Sequence, residues 1–170
     1  YGSVIRITDH NEDDDTYDYL GSNPAGYVKW FFDACAKQRN RLYEQYIKDH
    51  RTVVAQADVE DVKRRKVKTP LQRVVQILKR HRDIKFADDN SGNKPISIII
   101  TTIAGRLYEE EDNIYDALFN ILSKAPSWIM DNRKDQQFYI ENPSYKGENF
   151  ADKWNTHPER ATAFLQWLYA

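Results

Sequence analysis

The chain has 170 residues and a formal net charge of −1, which excludes a protein whose whole surface attracts a polyanion. At 41% hydrophobic and 13% aromatic it carries enough apolar material for one ordinary core. A single cysteine, Cys35, excludes an internal disulfide, and His10, His50, His81 and His157 are too scattered for Cys/His metal spacing.

No secretory leader and no apolar run long enough to cross a bilayer appears, so the chain reads as soluble and cytoplasmic, with no membrane partner. The charge is unevenly spread. Asp9, Glu12, Asp13, Asp14, Asp15 and Asp18 crowd one acidic stretch, whereas nine Lys or Arg and no acid fall between Lys63 and Arg82. Such runs are either solvated faces or binding surfaces.

In chain order, "VIRIT" (residues 4–8) alternates as a β-strand does, but it is too short to form a sheet alone. An acidic loop follows. "SNPAGYVKWF" then opens a long helix, with Asn23 as N-cap and Pro24 in the first turn. Val28, Phe31, Phe32, Cys35, Leu42 and Tyr46 form its stripe at 3.6 residues per turn, which places Cys35 as a small buried apolar group. Residues 50–68 have weak periodicity and read as a connecting loop with a short helix.

The next helix is sharply marked. Thr69-Pro70-Leu71-Gln72 is a capping box with Pro just inside it, and Leu71, Val74, Val75 and Leu78 share one face. After the turn-like "DDNSGNKP", propensity makes Ile96–Ile103 a buried strand, while its length and Pro95 also permit a buried helix. A further helix begins near Asn113, with Ile114, Ala117, Leu118, Ile121 and Leu122 on one side, and "APSWIMDN" interrupts or restarts it. Residues 131–155 read as extended and loop-rich. Thr156-His157-Pro158-Glu159 is a second capping box, opening a last helix with Ala161, Phe164, Leu165 and Leu168 on its buried stripe. The fold class is therefore mainly α, a bundle-like helical domain with one orphan strand near its start.

Gly2-Ser3 with Asp13, Asp14 and Asp15 imitates the Gly-Ser turn and Asp-x-Asp pair that hold two Mg²⁺ ions on a nucleoside triphosphate. That chemistry needs carboxylates on a rigid, apolar-flanked strand, and "DHNEDDDTYDY" offers no such frame. The motif reads as a decoy. With six glycines there is no P-loop and no dinucleotide fingerprint. The residues themselves lead to a helical domain with one basic, helix-borne surface suited to phosphate groups.

Three stretches in order, "SNPAGYVKWF", "TPLQRVVQILKRHRD…KPISIIITTIA" and "NP…ENFADKW", resemble the C-terminal half of bacterial nucleotidyltransferases related to cyclic GMP-AMP synthase and oligoadenylate synthetase. These enzymes make cyclic oligonucleotides in anti-phage signalling. The resemblance runs from about Val4 to Leu168. It implies that residues 1–20 are the tail of a nucleotidyltransferase core lying before residue 1, and that residues 21–170 are a helical nucleotide-binding domain. Mg²⁺ and nucleoside triphosphates, ATP among them, would then be cofactor and substrates of the intact enzyme, none held tightly by this chain alone, which would be inactive.

The resemblance also implies that Lys79 reaches the bound triphosphate and that Ser97 touches it, while no residue of this chain is catalytic or binds metal. On the residues alone, Lys79 reads as a surface lysine and Ser97 as a helix cap or a small packed residue. Arg82, on the apolar side of its helix, reads as a side chain that snorkels past the core or pairs with an acid. Phe150 and Trp154 read as pins for their loop, with Asp152 and Lys153 as local partners. The resemblance turns "ISIIITTIAG" into a helix. The alternative functions are direct nucleic-acid binding by residues 63–82 and a protein-interaction domain without catalysis.

Overall fold

The computed structural model describes residues 4–11, 16–49 and 68–170. Gly2, Ser3 and Asp13 to Asp15 lie outside them, as does the basic run from Lys63 to Val67. The first elements form an antiparallel ribbon, β1 (Ile5–Asn11) and β2 (Thr16–Ser22), with Ile5 opposite Ser22 and Ile7 opposite Leu20. The strand that looked orphaned thus has a partner, and the acidic stretch expected to be a loop supplies strand at both its flanks. The ladder is made by backbone groups, so acidic side chains mask such pairing in the sequence without preventing it. The ribbon leaves Ile5, Ile7 and Leu20 exposed.

Asn23 caps helix α1 (Pro24–Ala34) as expected, its Oδ1 accepting from the Gly26 N–H at 2.9 Å. The single long helix expected here is instead two. The chain breaks at Cys35 before α2 (Ala36–Asp49), and Val28 and Phe32, placed on a buried stripe, are exposed. Cys35 itself is buried at the joint, its Sγ 3.4 Å from the Phe31 carbonyl oxygen, so the break lets the thiol turn inward while part of the α1 stripe stays in water.

Helix α3 (Pro70–Lys85) begins with a reciprocal capping box: Thr69 Oγ1 accepts from the Gln72 N–H and Gln72 Oε1 accepts from the Thr69 N–H. Losing such a cap costs about 0.5–2 kcal/mol. Leu71, Val74, Val75 and Leu78 are all buried.

Residues 97–107 are helical, forming α4 (Ser97–Leu107), and magnitudes explain why β-branching loses. Each β-branched residue sacrifices up to about 0.7 kcal/mol of helix propensity. Burying each of Ile99, Ile100 and Ile103 returns about 1.5–3 kcal/mol. Helix α4 sits at the centre, packed against α1, α3 and α5 (Ile114–Asp131). Asn113 caps α5, whose helix runs on through Pro126 rather than restarting there. An interior proline costs about 3 kcal/mol, but Ile121, Ala125 and Ile129 bury the face around it and hold the helix together.

Residues 133–151 are mostly irregular, as expected, and lead to the short α6 (Asp152–Thr156) and then α7 (Pro158–Leu168). The second capping box does not form. His157 is the N-cap, without a side-chain cap bond, and Thr156 Oγ1 donates to the Lys153 carbonyl because α6 already occupies that residue. Ala161, Phe164 and Trp167 are the buried residues of α7. Trp154 pins its loop as the sequence suggests, its ring 5.0 Å from Phe164 and 5.6 Å from Phe138, while Phe150 meets Tyr27 edge-on at 5.9 Å.

Candidate functional site

The end of α3 and the start of α4 meet at Arg82. Leu71, Val75, Leu78 and Arg82 succeed one another along the buried side of α3, so the guanidinium enters the core margin with only 8% of the residue exposed. A cation so placed must be paired and hydrogen-bonded. Arg82 Nη1 donates to the Pro95 carbonyl at 3.0 Å and to Ser97 Oγ at 2.8 Å. Nε and Nη2 both donate to Asp83 Oδ1, at 3.1 and 2.8 Å. Lys94 Nζ reaches the same carboxylate oxygen at 2.8 Å. Lys94 and Arg82 together hold the Asp83 carboxyl below the usual carboxylate range.

Lys79 lies one turn before Arg82 on α3 and is half-buried. Among the described residues it has no hydrogen-bond or ion-pair partner, in contrast to Lys94 or Lys124. Burial, and then the neighbouring charge of Arg82, push its ammonium pKa below the ordinary lysine value. The site thus keeps a cation at a cost in desolvation, and no described residue supplies an anion for it. Ser97 is the first residue of α4, and its side chain does not cap the helix: the N-cap is Ile96, with no side-chain cap bond. The cap reading of Ser97 is therefore replaced by its bond to Arg82. The first backbone amide of this helix to find an α-helical acceptor is that of Ile100, bonded to the Ile96 carbonyl, so the amides before it face the positive end of the helix dipole unpaired within the helix.

Lys79 and Ser97 both neighbour Arg82, which acts on the Lys79 ammonium by its charge and bonds the Ser97 hydroxyl at the head of α4. An ammonium, a hydroxyl and a helix N-terminus are donors suited to oxyanions. Both residues singled out from the sequence belong to these adjoining segments. Arg82 was not assigned a ligand role by sequence. The signal for its importance was present, since an arginine in register with Leu71, Val75 and Leu78 has to find buried acceptors.

A separate surface groove of about 250 Å³ is lined by Arg106, Trp128, Asn132, Lys134, Tyr139 and Glu141 and shares no residue with this site. Its cations are already engaged, Lys134 over the Tyr139 ring at 3.5 Å and Arg106 over Trp30 at 5.7 Å. Among the described residues no three His, Cys, Asp or Glu converge to hold a metal ion, and no helix is long and apolar enough to cross a membrane.

No protein-family model matches the chain. It is 34% identical over 165 residues to a c-di-GMP synthase of Roseivirga ehrenbergii, an alignment that takes in 97% of this chain and 40% of that protein. It is 26% identical over 165 residues to the cyclic dinucleotide synthase CdnG of Bradyrhizobium diazoefficiens, with 89% of this chain and 38% of that one aligned. The solved structure of the Bradyrhizobium diazoefficiens CD-NTase CdnG in complex with GTP shares the fold, with a TM-score of 0.68 at 23% identity over 99% of this chain and 50% of that chain. This chain therefore spans 40% and 38% of the lengths of its two curated relatives. Over that length the chain is similar to bacterial cyclic dinucleotide synthases, the kind of nucleotidyltransferase its motifs resemble.

Proposed function

We propose that this chain is the helical, nucleotide-binding part of a cyclic dinucleotide synthase, and that Lys79, Ser97 and the N-terminus of α4 bind the triphosphate of a guanosine nucleotide. The observation that carries this reading is Lys79, a half-buried ammonium without an anionic partner among the described residues, its pKa pushed down by burial. A triphosphate oxygen supplies the missing counter-charge. The relatives' names, one a c-di-GMP synthase and one solved with GTP, support guanosine triphosphate as a substrate.

In the proposed reaction a nucleotide 3′-hydroxyl attacks an α-phosphate, the new P–O bond forming as the bond to pyrophosphate breaks and the hydroxyl proton leaves to solvent. Mg²⁺ held by the core would supply charge stabilisation. On this reading the carboxylates that hold the ion belong to the catalytic core rather than to the helical part. The residues of this chain do other work. Lys79 places a point charge on the phosphate oxygens, Ser97 donates its hydroxyl, and the α4 amides receive the remaining negative charge. Residues 1–20 join this helical part to a catalytic core, and the isolated chain makes no product. The protein acts in the cytoplasm, and the second messenger it makes serves antiviral defence.

The test is GTP titration of the full-length protein and its Lys79→Ala and Ser97→Ala variants, with melting temperatures measured alongside. The reading expects Lys79→Ala to raise the GTP Kd about tenfold or more, equivalent to about 1.4 kcal/mol or more, without loss of fold. An unchanged Kd in both folded variants overturns it. Incubation with GTP and Mg²⁺ should yield a phosphatase-resistant cyclic product from the full-length protein and none from residues 1–170 alone.

A further inference from the structure

We infer that Arg82 is a positioning residue of this site, one that fixes the Ser97 hydroxyl as a hydrogen-bond donor to a phosphate oxygen. The inference rests on the triphosphate reading above and adds to it a residue and a role. Its basis is the direction of one hydrogen bond. A guanidinium has donors only, so at 2.8 Å from Arg82 Nη1 the Ser97 oxygen must be the acceptor. The Ser97 proton is thereby turned away from Arg82. Among the described residues that proton has no acceptor, and Ser97 is exposed at the head of α4. A hydroxyl left to itself rotates and serves equally as donor or acceptor. Pinned in this way, it is a donor, the polarity an anion requires.

The guanidinium is itself held from three sides. The Pro95 carbonyl takes one Nη1 proton, leaving the other for Ser97, while Asp83 takes Nε and Nη2 together. Lys94 holds Asp83 in turn. Swinging out to a ligand would cost Arg82 its bonds to Asp83, Pro95 and Ser97. Its effect on a nucleotide therefore passes through Ser97, and through the fixed approach of the α3 C-terminus to the α4 N-terminus. The fork geometry matters here: a lysine ammonium supplies charge but not two divergent planar edges.

A purely structural arginine would lower stability and leave nucleotide affinity alone, or weaken it independently of Ser97. A double-mutant cycle separates these roles. In the full-length protein, the GTP Kd is measured for Arg82→Lys, Ser97→Ala and the double variant, with Lys79→Ala beside them and melting temperatures for all. Arg82→Lys keeps the buried cation. Arg82→Gln, whose neutral amide is too short to reach Ser97, is the second variant if the first does not fold.

We expect Arg82→Lys and Ser97→Ala each to raise Kd about tenfold, and the pair to raise it no more than the larger single change. A lowered melting temperature with an unchanged Kd, or effects of the two changes that multiply, overturns the role of Arg82. If Lys79→Ala weakens GTP binding in that same experiment, the site reading survives that failure. If none of Lys79→Ala, Ser97→Ala and Arg82→Lys changes Kd, the site reading and the inference fall together.

Discussion

The Tyr27 hydroxyl on α1 hydrogen-bonds Thr102 Oγ1 at 2.9 Å in the middle of α4. Both hydroxyls also lie within reach of the Ile98 carbonyl oxygen, Thr102 at 2.8 Å and Tyr27 at 3.4 Å. The Tyr27–Thr102 bond ties α1 to the central helix beside the packing of Trp30 on Gly105. Burial pushes the Tyr27 hydroxyl pKa up to about 12. Burial likewise raises that of Tyr108, assisted by the charge of Glu111.

Raised phenol values give the first prediction its sign. Both tyrosines bind their proton more tightly folded than unfolded, so their contribution is complete below about pH 10 and is lost as pH climbs above it. Urea midpoints measured from pH 8 to 11 should fall at the alkaline end. Tyr27→Phe should lose about 1 kcal/mol at neutral pH and show a shallower alkaline decline. A wild-type midpoint that stays flat to pH 11 would contradict the burial of both hydroxyls.

A second prediction contrasts neighbours on α2. Gln38 is buried, its Nε2 donating to the Glu110 carbonyl and, at 2.7 Å, to Asp112 Oδ1. Lys37 makes an exposed pair with Glu110, and Arg41 one with Asp112. Solvent screens exposed pairs to about 1 kcal/mol or less, whereas removing a buried donor costs about 1–3 kcal/mol. Gln38→Ala should therefore lower the chemical-denaturation free energy well beyond Lys37→Ala. The Lys37 effect should vanish in molar salt while the Gln38 effect persists.

The third concerns Gly105, on the α4 face that meets Trp30. A Cβ there would sit 2.6 Å from Trp30 Cη2, closer than carbon atoms approach. Gly105→Ala gains helix propensity, about 1 kcal/mol, but must displace the indole that also lies under Arg106. Overpacking costs about 1–3 kcal/mol, so a net loss of melting temperature is expected, with a changed Trp30 emission. A stabilised variant would show that α1 yields easily at this contact.

The fourth follows from Lys79. Its pKa lies below the ordinary lysine value, so Lys79 begins to lose its proton at a lower pH than an exposed lysine does, and a bound triphosphate opposes that loss. GTP binding to the full-length protein should therefore take up protons as pH rises, seen as a dependence of the binding heat on buffer ionisation enthalpy. Affinity should decline with pH sooner than an ordinary lysine would dictate. Lys79→Met should abolish the proton uptake. Uptake that persists in that variant would assign it to another group.

How legible these features were in the sequence depended on how local their causes are. The α3 capping box was readable because Thr69 and Gln72, three residues apart, each bond the other's backbone amide. The helix at α4 was not readable from its residues. Ile98, Ile99, Ile100 and Ile103 favour a strand locally, and only tertiary burial on most sides of the helix reverses that preference. Family resemblance supplied what propensity could not. The second strand was hidden because "TYDYLGS" is polar, and pairing with β1 is a non-local backbone event. The box at Thr156 failed for the opposite reason: a local pattern was overridden by a preceding helical turn. At the candidate site, Lys79 and Ser97 come from the resemblance, and Arg82 reads as a side chain that either snorkels past the core or pairs with an acid. What could not be read was that its partners include Ser97, fifteen residues on, because that contact depends on how α3 and α4 cross.

The ribbon at the start of the chain has a practical consequence. Val4, Ile5, Ile7 and Leu20 stand in water, and the molecule's net charge of −1 gives little electrostatic repulsion between copies. A purified preparation of these 170 residues should therefore be poorly soluble near neutrality and improve when one of those four positions is made acidic. Sedimentation or scattering on the unmodified segment would then report the stickiness of two short strands rather than the assembly state of the protein. An Ile7→Glu version is the better starting material for crystals and for spectra.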